Sequence, residues 1–170
     1  MKTAVIGYSG SGKSTLSDRI AAKQHVPVLH IDCVHWLPGW KARPSAESTE
    51  IVGRFMDEND GWVIDGNYSK HHYERRIEEA DRIIFMNFGR FNCLYRALKR
   101  RIQFHGKTRS SMTVGCPEKF DWAFIKWILY EGRSKGVRAR YQGVLDSYPE
   151  KCVMLRNQRD LDNYVKQEKL

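Results

Sequence analysis

Short apolar runs alternate with stretches of helical periodicity along this chain. Five runs have the length and composition of buried strands: Thr3–Ile6, Val26–Ile31, Trp62–Ile64, Arg82–Phe88 and Cys152–Leu155. The stretches between them place apolar residues one helical turn apart, as at Leu16 and Ile20. This alternation predicts one α/β domain spanning residues 1–170, with a five-stranded parallel sheet covered by helices on both faces.

Two further helices are predicted from their apolar positions. The first ends near Asn59 and presents an apolar face made of Ile51, Val52, Phe55 and Met56. The second covers Phe91–Ile102, with Leu94, Leu98 and Ile102 on one face. Its cations fall elsewhere around the helix, at Arg96, Lys99, Arg100 and Arg101. We therefore expect the second helix to turn a basic side outward.

Two segments lack such periodicity. Residues 33–40 are rich in aromatic and turn-forming residues, which predicts a loop. Residues 103–119 are polar, basic and contain glycine, and they precede a helix that Asp121 is suited to cap. We expect residues from about 103 to 135 to form a basic, partly helical lid inserted into the domain.

The composition fits one globular domain. The chain has 170 residues, of which 41% are hydrophobic and 29% charged, enough for a sizeable core. Apolar runs remain far below the roughly 20 residues of a membrane span, and we expect a cytoplasmic protein. The formal net charge of +9 predicts attraction to polyanions, including weak and non-specific binding of nucleic acid, without selecting among them.

A phosphate-binding loop follows the first predicted strand. Residues 7–14 match the pattern G-x-x-x-x-G-K-[ST] completely and open a predicted helix, with Thr15 next in the chain: Gly7, Tyr8, Ser9, Gly10, Ser11, Gly12, Lys13 and Ser14. Such a loop wraps its backbone N–H groups around phosphate oxygens at a helix amino terminus. We predict that Lys13 reaches the β- and γ-phosphates of ATP and that the Ser14 hydroxyl ligates Mg²⁺.

Two aspartates follow predicted strands. Parallel sheets present their ligand sites at the carboxyl ends of the strands, so Asp32 and Asp65 are expected beside the phosphate loop. We predict that Asp65 holds the metal or its water and that Asp32 orients or deprotonates an acceptor hydroxyl. The alternative for each is a turn residue at a strand end.

Several arginines are available to stabilise charge on a phosphoryl group. Arg133 and Arg140 share one helix face if a helix runs through the neighbouring glycines, and we predict a catalytic role for both. Arg96 and Arg100 form an i, i+4 pair that is predicted to bind the nucleotide. A solvated surface position is the alternative for any one of them.

Three aromatic side chains follow Asp32 closely in the sequence. His35, Trp36 and Trp40 either stack on a planar acceptor such as a base or cover apolar surface. The sequence leaves both interpretations open.

Segments along almost the whole chain resemble the bacterial DNA topology modulation proteins. The resemblance rests on the phosphate loop and on four further segments: His30-Ile31-Asp32, Leu37-Pro38-Gly39-Trp40, Ile64-Asp65-Gly66-Asn67-Tyr68-Ser69 and Gly115-Cys116-Pro117-Glu118-Lys119. That group looks like a branch of the adenylate kinase and shikimate kinase class of P-loop kinases. The resemblance implies a three-layer core like that of nucleoside monophosphate kinases, a closing lid and ATP-dependent transfer to a small acceptor.

One departure from this pattern concerns the acceptor. Asp65-Gly66 is similar to the start of the Asp-Gly-Phe-Pro-Arg segment of nucleoside monophosphate kinases, but Asn67-Tyr68-Ser69 replaces the remainder, including an acceptor-phosphate arginine. Lys70, Arg75 and Arg76 are the nearby cations that would compensate. A nucleoside or another small alcohol is therefore open as the acceptor beside a nucleotide.

Two functions of different classes compete. The leading one is an ATP-binding phosphotransferase that moves the γ-phosphoryl group of Mg·ATP to a small molecule. The alternative is a nucleotide-regulated DNA-binding protein that affects DNA topology, motivated by the net charge and the basic helix over 91–102. No helix-turn-helix or zinc-finger pattern accompanies that alternative.

Overall fold

The chain folds around a parallel sheet. The computed structural model describes residues 1–104, 109 and 111–170. Its strands are β1 (Lys2–Gly7), β2 (Val28–His30), β3 (Trp36–Leu37), β4 (Lys41–Ala42), β5 (Trp62–Asp65), β6 (Arg82–Met86) and β7 (Cys152–Leu155). Its helices are α1 (Lys13–Gln24), α2 (Ile31–His35), α3 (Ser45–Glu58), α4 (Tyr73–Glu79), α5 (Arg90–Gln103), α6 (Trp122–Leu129), α7 (Lys135–Ser147) and α8 (Gln158–Gln167), with a 3-10 turn at Glu131–Arg133.

The main sheet has the strand order β2-β5-β1-β6-β7, and all its pairings are parallel. Strand β1 is central, and Ala4 pairs with Ile64 on one side and with Ile83 on the other. Helices cover both faces of the sheet, which confirms the predicted three-layer α/β architecture. Because the strands are parallel, the residues that end β1, β2 and β5 meet at one edge: Gly7, His30 and Asp65.

Burial on both faces explains the apolar runs in the sequence. Val5, Val63 and Ile84, from the three central strands, are completely buried. Helix α1 contributes Leu16 and Ile20 to the same core, and α3 contributes Val52 and Met56. The predicted apolar faces of these two helices are therefore confirmed.

The segment predicted as a loop over residues 33–40 is partly regular, so that prediction is wrong. Helix α2 begins directly after β2 because Ile31 and Val34, three residues apart, both pack into the core. A hairpin of β3 and β4 follows, and its turn includes Gly39 with a φ of 76°. Asp32 consequently lies on α2 and not at the end of a strand.

The β3–β4 hairpin is fastened to residues 113–117. The Thr113 hydroxyl donates a hydrogen bond of 2.6 Å to the carbonyl of Trp36, and the Gly39 amide donates one of 3.0 Å to the carbonyl of Gly115. The indole N–H of Trp40 donates to the carbonyl of Pro117 at 3.2 Å. These bonds join two segments that lie more than seventy residues apart in the sequence.

Helix α5 is oriented differently from the prediction. Its buried residues are the small Cys93 and Ala97, whereas Leu98 and Ile102 are exposed. The predicted apolar face is therefore wrong for Leu98 and Ile102, whereas Lys99 of the predicted basic side is exposed. The small residues are buried because the phosphate loop passes very close to this helix, where large side chains would not fit.

The predicted helix joining Arg133 and Arg140 is also interrupted. Arg133 belongs to the 3-10 turn, and α7 begins only at Lys135. Ser134 has an extended backbone, and its side chain accepts a hydrogen bond from the Val137 amide. An N-cap of this kind starts a new helix, so the two arginines do not share one helix face.

The predicted lid over residues of about 103 to 135 is only partly within the described chain. Residues 105–108 and 110 lie outside the described residues. In the described part, α6 begins after Asp121, whose carboxylate accepts a hydrogen bond of 2.8 Å from the Phe124 amide. This confirms the predicted cap, while movement of the segment stays a prediction.

Within the described ranges, the helices are all too short or too polar to cross a bilayer.

A buried arginine holds the chain segment that follows β5. Arg76 is 2% exposed and donates to the carbonyls of Gly66, at 3.2 Å, and Tyr68, at 2.9 Å. Burial lowers the pKa of Arg76 to about 10. Arg75, the neighbouring residue, instead forms surface ion pairs with Asp57 and Glu79.

We predict that Arg76→Met lowers the free energy of unfolding by about 2–4 kcal/mol, because two carbonyls lose their buried donors. The matched variant Arg75→Met is expected to cost less than about 1 kcal/mol, since its ion pairs are at the surface. Urea denaturation of both variants measures the difference. If the two variants were equally stable, the hydrogen bonds of Arg76 would not stabilise the segment that follows β5.

Candidate functional site

A cavity of about 1200 Å³ opens at the carboxyl edge of the sheet. It is lined by most of the residues that the sequence predicts for a nucleotide site: Tyr8, Ser9, Gly10, Gly12, Lys13, Ser14, Thr15, Asp32, Asp65, Arg96, Arg100 and Arg140. Gly7, Ser11 and Arg133 are not in its lining. The predicted phosphate loop, both aspartates and three of the four predicted arginines, from five separate regions of the chain, therefore meet in one place.

The phosphate loop runs between β1 and α1 with left-handed backbone at several glycines. Gly12 has a φ of 98° and forms the N-cap of α1, so the free amides of the first helical turn point towards the loop. At Gly10, with a φ of 81°, a Cβ would lie 2.4 Å from the carbonyl oxygen of Cys93. Only glycine fits there, and the cradle shape depends on that fit.

Lys13 lies at the first position of α1, between the loop and the two aspartates. Its Nζ donates a hydrogen bond of 3.0 Å to the carbonyl of Tyr8. Burial lowers the pKa of Lys13, and the charges of Asp65 and Asp32 partly oppose this effect. The ammonium group is thus within electrostatic reach of both carboxylates.

Asp65 ends β5 and is 4% exposed. Its Oδ1 lies 2.8 Å from Nδ1 of His30, while Nε2 of His30 lies 2.9 Å from Oδ1 of Asp18. An imidazole with a carboxylate at each nitrogen donates to both only as the imidazolium ion. Burial lowers the pKa of His30, but the hydrogen bond and charge of Asp65, helped by Asp18, outweigh it and raise the pKa overall.

Asp32 is held by a tyrosine. The Tyr68 hydroxyl donates a hydrogen bond of 2.8 Å to Oδ1 of Asp32, and the Tyr68 backbone is in turn fixed by Arg76. Burial and the charge of Asp32 raise the pKa of Tyr68, so the phenol keeps its proton at neutral pH. Asp32 itself lines the cavity.

The residues present fit a magnesium ion bound together with a nucleotide. Mg²⁺ in such sites takes one or two protein oxygens and completes its shell with phosphate oxygens and water. Ser14 and Asp65 both line the cavity, and His30 occupies only one carboxylate oxygen of Asp65. Within the described residues, no group of three or more His, Cys, Asp or Glu side chains forms a metal cluster.

The arginines divide into two groups. Arg96, Arg100 and Arg140 line the cavity. Arg133 instead donates to the carbonyls of Ile128 and Phe88, and its guanidinium lies 3.7 Å from the centre of the Tyr8 ring. Its observed contacts are with the protein, and its predicted catalytic role stays a prediction.

The cations proposed to replace an acceptor-phosphate arginine are also separated. Lys70 lines the cavity, whereas Arg76 is buried against backbone carbonyls and Arg75 pairs on the surface.

Trp36 and Trp40 line the cavity as an edge-to-face pair with ring centres 5.5 Å apart. Lys119 Nζ lies 4.7 Å from the centre of the Trp40 ring, and the His35 ring packs against Trp36 with centres 4.7 Å apart. Stacking of these rings on an acceptor stays a prediction.

Sequence reasoning missed several residues in or beside the cavity. His30, which pairs with Asp65 outside the cavity lining, and Tyr68 appear in the sequence only as parts of recognised segments, and Arg109 and Glu118 had no assigned role. Glu118 is 8% exposed and pairs with both Arg100 and Arg109. The sequence around Glu118 gives no periodic signal of burial, because Glu118 is buried by contacts with residues distant in the chain.

Comparison with known proteins supports the fold. No family model matches the sequence, and no curated protein matches it. A crystal structure of an uncharacterized protein from Eubacterium ventriosum is similar over 99% of both chains, with a TM-score of 0.51 and 12% sequence identity. Shikimate kinase from Bacteroides thetaiotaomicron gives a TM-score of 0.47 at 15% identity over 98% of this chain and 95% of that one, too weak a likeness for any inference.

We predict a pH-dependent contribution of His30 to stability. Because the folded-state pKa is raised above the ordinary value of 6.5, the folded protein binds this proton more tightly than the unfolded chain does. The stability advantage over His30→Gln is therefore expected to be complete below pH 6.5 and to decline as the pH rises through the raised pKa. Urea denaturation of both proteins between pH 5.5 and about 9, without metal, measures it. A difference that stays constant over this range would contradict the assignment.

Proposed function

We propose that this protein is an ATP-dependent phosphotransferase acting on a small hydroxyl-bearing acceptor. One observation carries the proposal: a single cavity holds the phosphate loop with Lys13 and a carboxylate, Asp32, positioned by a neighbouring hydroxyl. A loop of this kind alone serves many nucleotide-binding proteins. A second, oriented carboxylate facing the same space is what transfer to an acceptor requires.

In the proposed reaction, the loop amides and Lys13 bind the phosphates of ATP. Asp32 accepts the proton of the acceptor hydroxyl as its oxygen bonds to the γ-phosphorus, and the bond from that phosphorus to the β,γ-bridging oxygen breaks. The products are ADP and a phosphorylated acceptor, and Asp32 then releases the proton to solvent. When bound, Mg²⁺ supplies positive charge at the phosphate oxygens, and Ser14 and Asp65 are the residues that would hold it.

The acceptor side favours a small molecule with a hydroxyl group. Asp32 and Tyr68 offer hydrogen bonding, the pair Trp36 and Trp40 offers aromatic surface, and Lys70 is the nearby cation in the lining. A nucleoside, a nucleotide or another ring-bearing alcohol satisfies this chemistry. The resemblance to DNA topology modulation proteins rests on sequence segments and adds no acceptor.

The DNA-binding alternative has less support. It was motivated by a basic outer side of α5, but Arg96 and Arg100 of that helix line the cavity. The exposed positions include the apolar side chains Leu98 and Ile102. Three of the four cations that motivated it, Arg96, Lys99 and Arg100, thus line the cavity.

The first test replaces the loop lysine. We expect Lys13→Ala to lower ADP formation by roughly 100- to 1000-fold or more, because the γ-phosphoryl group loses its main cation. The assay incubates the protein with Mg·ATP and a panel of nucleosides, nucleoside monophosphates and small hydroxylated metabolites. Lys23→Ala, which removes the same charge from the exposed end of α1, is the matched control and should retain full activity. Undiminished turnover by Lys13→Ala would exclude the mechanism.

The second test separates chemistry from binding. Asp32→Asn is expected to reduce turnover by about 10²- to 10⁴-fold while ATP affinity is preserved, since the general base is lost. Tyr68→Phe keeps that carboxylate and removes only its hydrogen bond, so a smaller loss is expected. Calorimetric titration with ATP checks the binding. Wild-type turnover in Asp32→Asn would show that another group accepts the proton.

A further inference from the structure

A buried carboxylate joins two arginines in the lining of the cavity. Oε2 of Glu118 accepts a hydrogen bond of 2.9 Å from Nε of Arg100, and Oε1 forms an ion pair with Nε of Arg109. All three residues line the cavity, and the Glu118 side chain is only 6% exposed. We refer to Arg100, Arg109 and Glu118 as the Glu118 cluster.

Both arginines use the Nε atom for this contact. A guanidinium carries five N–H donors in a planar fork, so its terminal Nη groups remain for other partners. Arg109 Nη1 also donates to the Ser111 hydroxyl at 3.3 Å. Within the described part of the chain, the Nη groups of Arg100 have no hydrogen-bond partner. The cluster therefore has donors to offer to an anion in the cavity.

The cluster lies near the centre of the proposed reaction. The charge of Arg100 acts on Lys13, and the charge of Asp32 acts on Arg100. Arg96, one helical turn before Arg100 on α5, lies against the phosphate loop, because a Cβ at Gly12 would be 2.5 Å from its Nη2. One turn advances about 5.4 Å, so Arg100 lies about one turn further along α5 than Arg96.

The charge of the cluster permits two opposite roles for Glu118. Two cations and one anion leave a net charge of +1. If Glu118 only neutralises the arginines, its removal strengthens the attraction of the cavity for phosphate. If Glu118 instead orients the two arginines, its removal leaves both side chains flexible and weakens their directional hydrogen bonds to phosphate.

We propose that Glu118 is a positioning residue that presents Arg100 and Arg109 together to the terminal phosphoryl group of a nucleoside triphosphate held by the phosphate loop. This inference rests on the proposed function and adds Arg109 to its catalytic residues. The contacts support it, since Glu118 meets both arginines at Nε, and Arg100 and Arg109 both line the cavity. Burial of Glu118 supports it as well, because a shielded carboxylate holds its partners more firmly than a solvated one.

The test compares two ligands that differ in the terminal phosphoryl group. Calorimetry measures the Kd of Mg·ADP and of the Mg complex of the β,γ-imido analogue of ATP, which is not hydrolysed. In Glu118→Gln we expect the analogue to bind about 10-fold more weakly, as for the loss of one charge-assisted contact, and ADP to bind as before. Arg109→Lys, which keeps the charge but loses the planar fork, should show the same selective loss.

A matched control separates position from charge. Glu131 also lines the cavity, but it pairs with Lys126 at 2.9 Å and makes no ion pair with either arginine. Glu131→Gln removes the same charge and should leave the ratio of the two affinities unchanged. Thermal unfolding of each variant confirms that it is folded, and Arg109→Lys decides the question if Glu118→Gln does not fold.

The outcomes are distinct. Tighter binding of the analogue by Glu118→Gln, an unchanged ratio of affinities, or an equal loss for both ligands would overturn the inference. If the wild type binds both nucleotides through Lys13 and only the Glu118 result is negative, the proposed function stands without this role. If the wild type binds neither nucleotide, the proposed function itself fails.

Discussion

The phosphate loop has room only for backbone where it passes β6 and α5, and the site depends on this constraint. A Cβ at Gly7 would lie 2.5 Å from the carbonyl oxygen of Met86, and one at Gly10 would lie 2.4 Å from that of Cys93. Because the loop is confined in this way, α1 begins in a fixed direction and Lys13 enters the cavity at its first turn. The same close approach accounts for the small, buried Cys93 on the face of α5 that meets the loop, and Arg96 and Arg100 of this helix line the cavity.

The carboxylates of this site would repel a triphosphate unless cations balanced their charge or hydrogen bonds fixed their orientation. Asp65 is paired with His30, Asp32 accepts from Tyr68, and Glu118 is paired with two arginines. Each acidic group is therefore fixed in orientation, and two of them are balanced by a cation. In the proposed reaction, such preorganisation means that little rearrangement is needed when charge develops during transfer.

The sheet and the phosphate loop were predictable from sequence because both depend on local patterns. Buried parallel strands give continuous apolar runs, and the loop has a fixed spacing of glycines before Lys13. The orientation of α5 was not predictable, since periodicity favours large apolar residues and gives no weight to Cys93 and Ala97. The break before α7 depends on the cap at Ser134, and the burial of Glu118 depends on contacts distant in sequence; neither produces a periodic signal.

The hydrogen bonds between the β3–β4 hairpin and residues 113–117 have a mechanical consequence. Trp40 is bonded to the carbonyl of Pro117, and Glu118 is the next residue in the chain. The cavity wall that carries Trp40 and the wall that carries Glu118 are therefore joined through the backbone. A ligand held against one wall is thermodynamically linked to the geometry of the other.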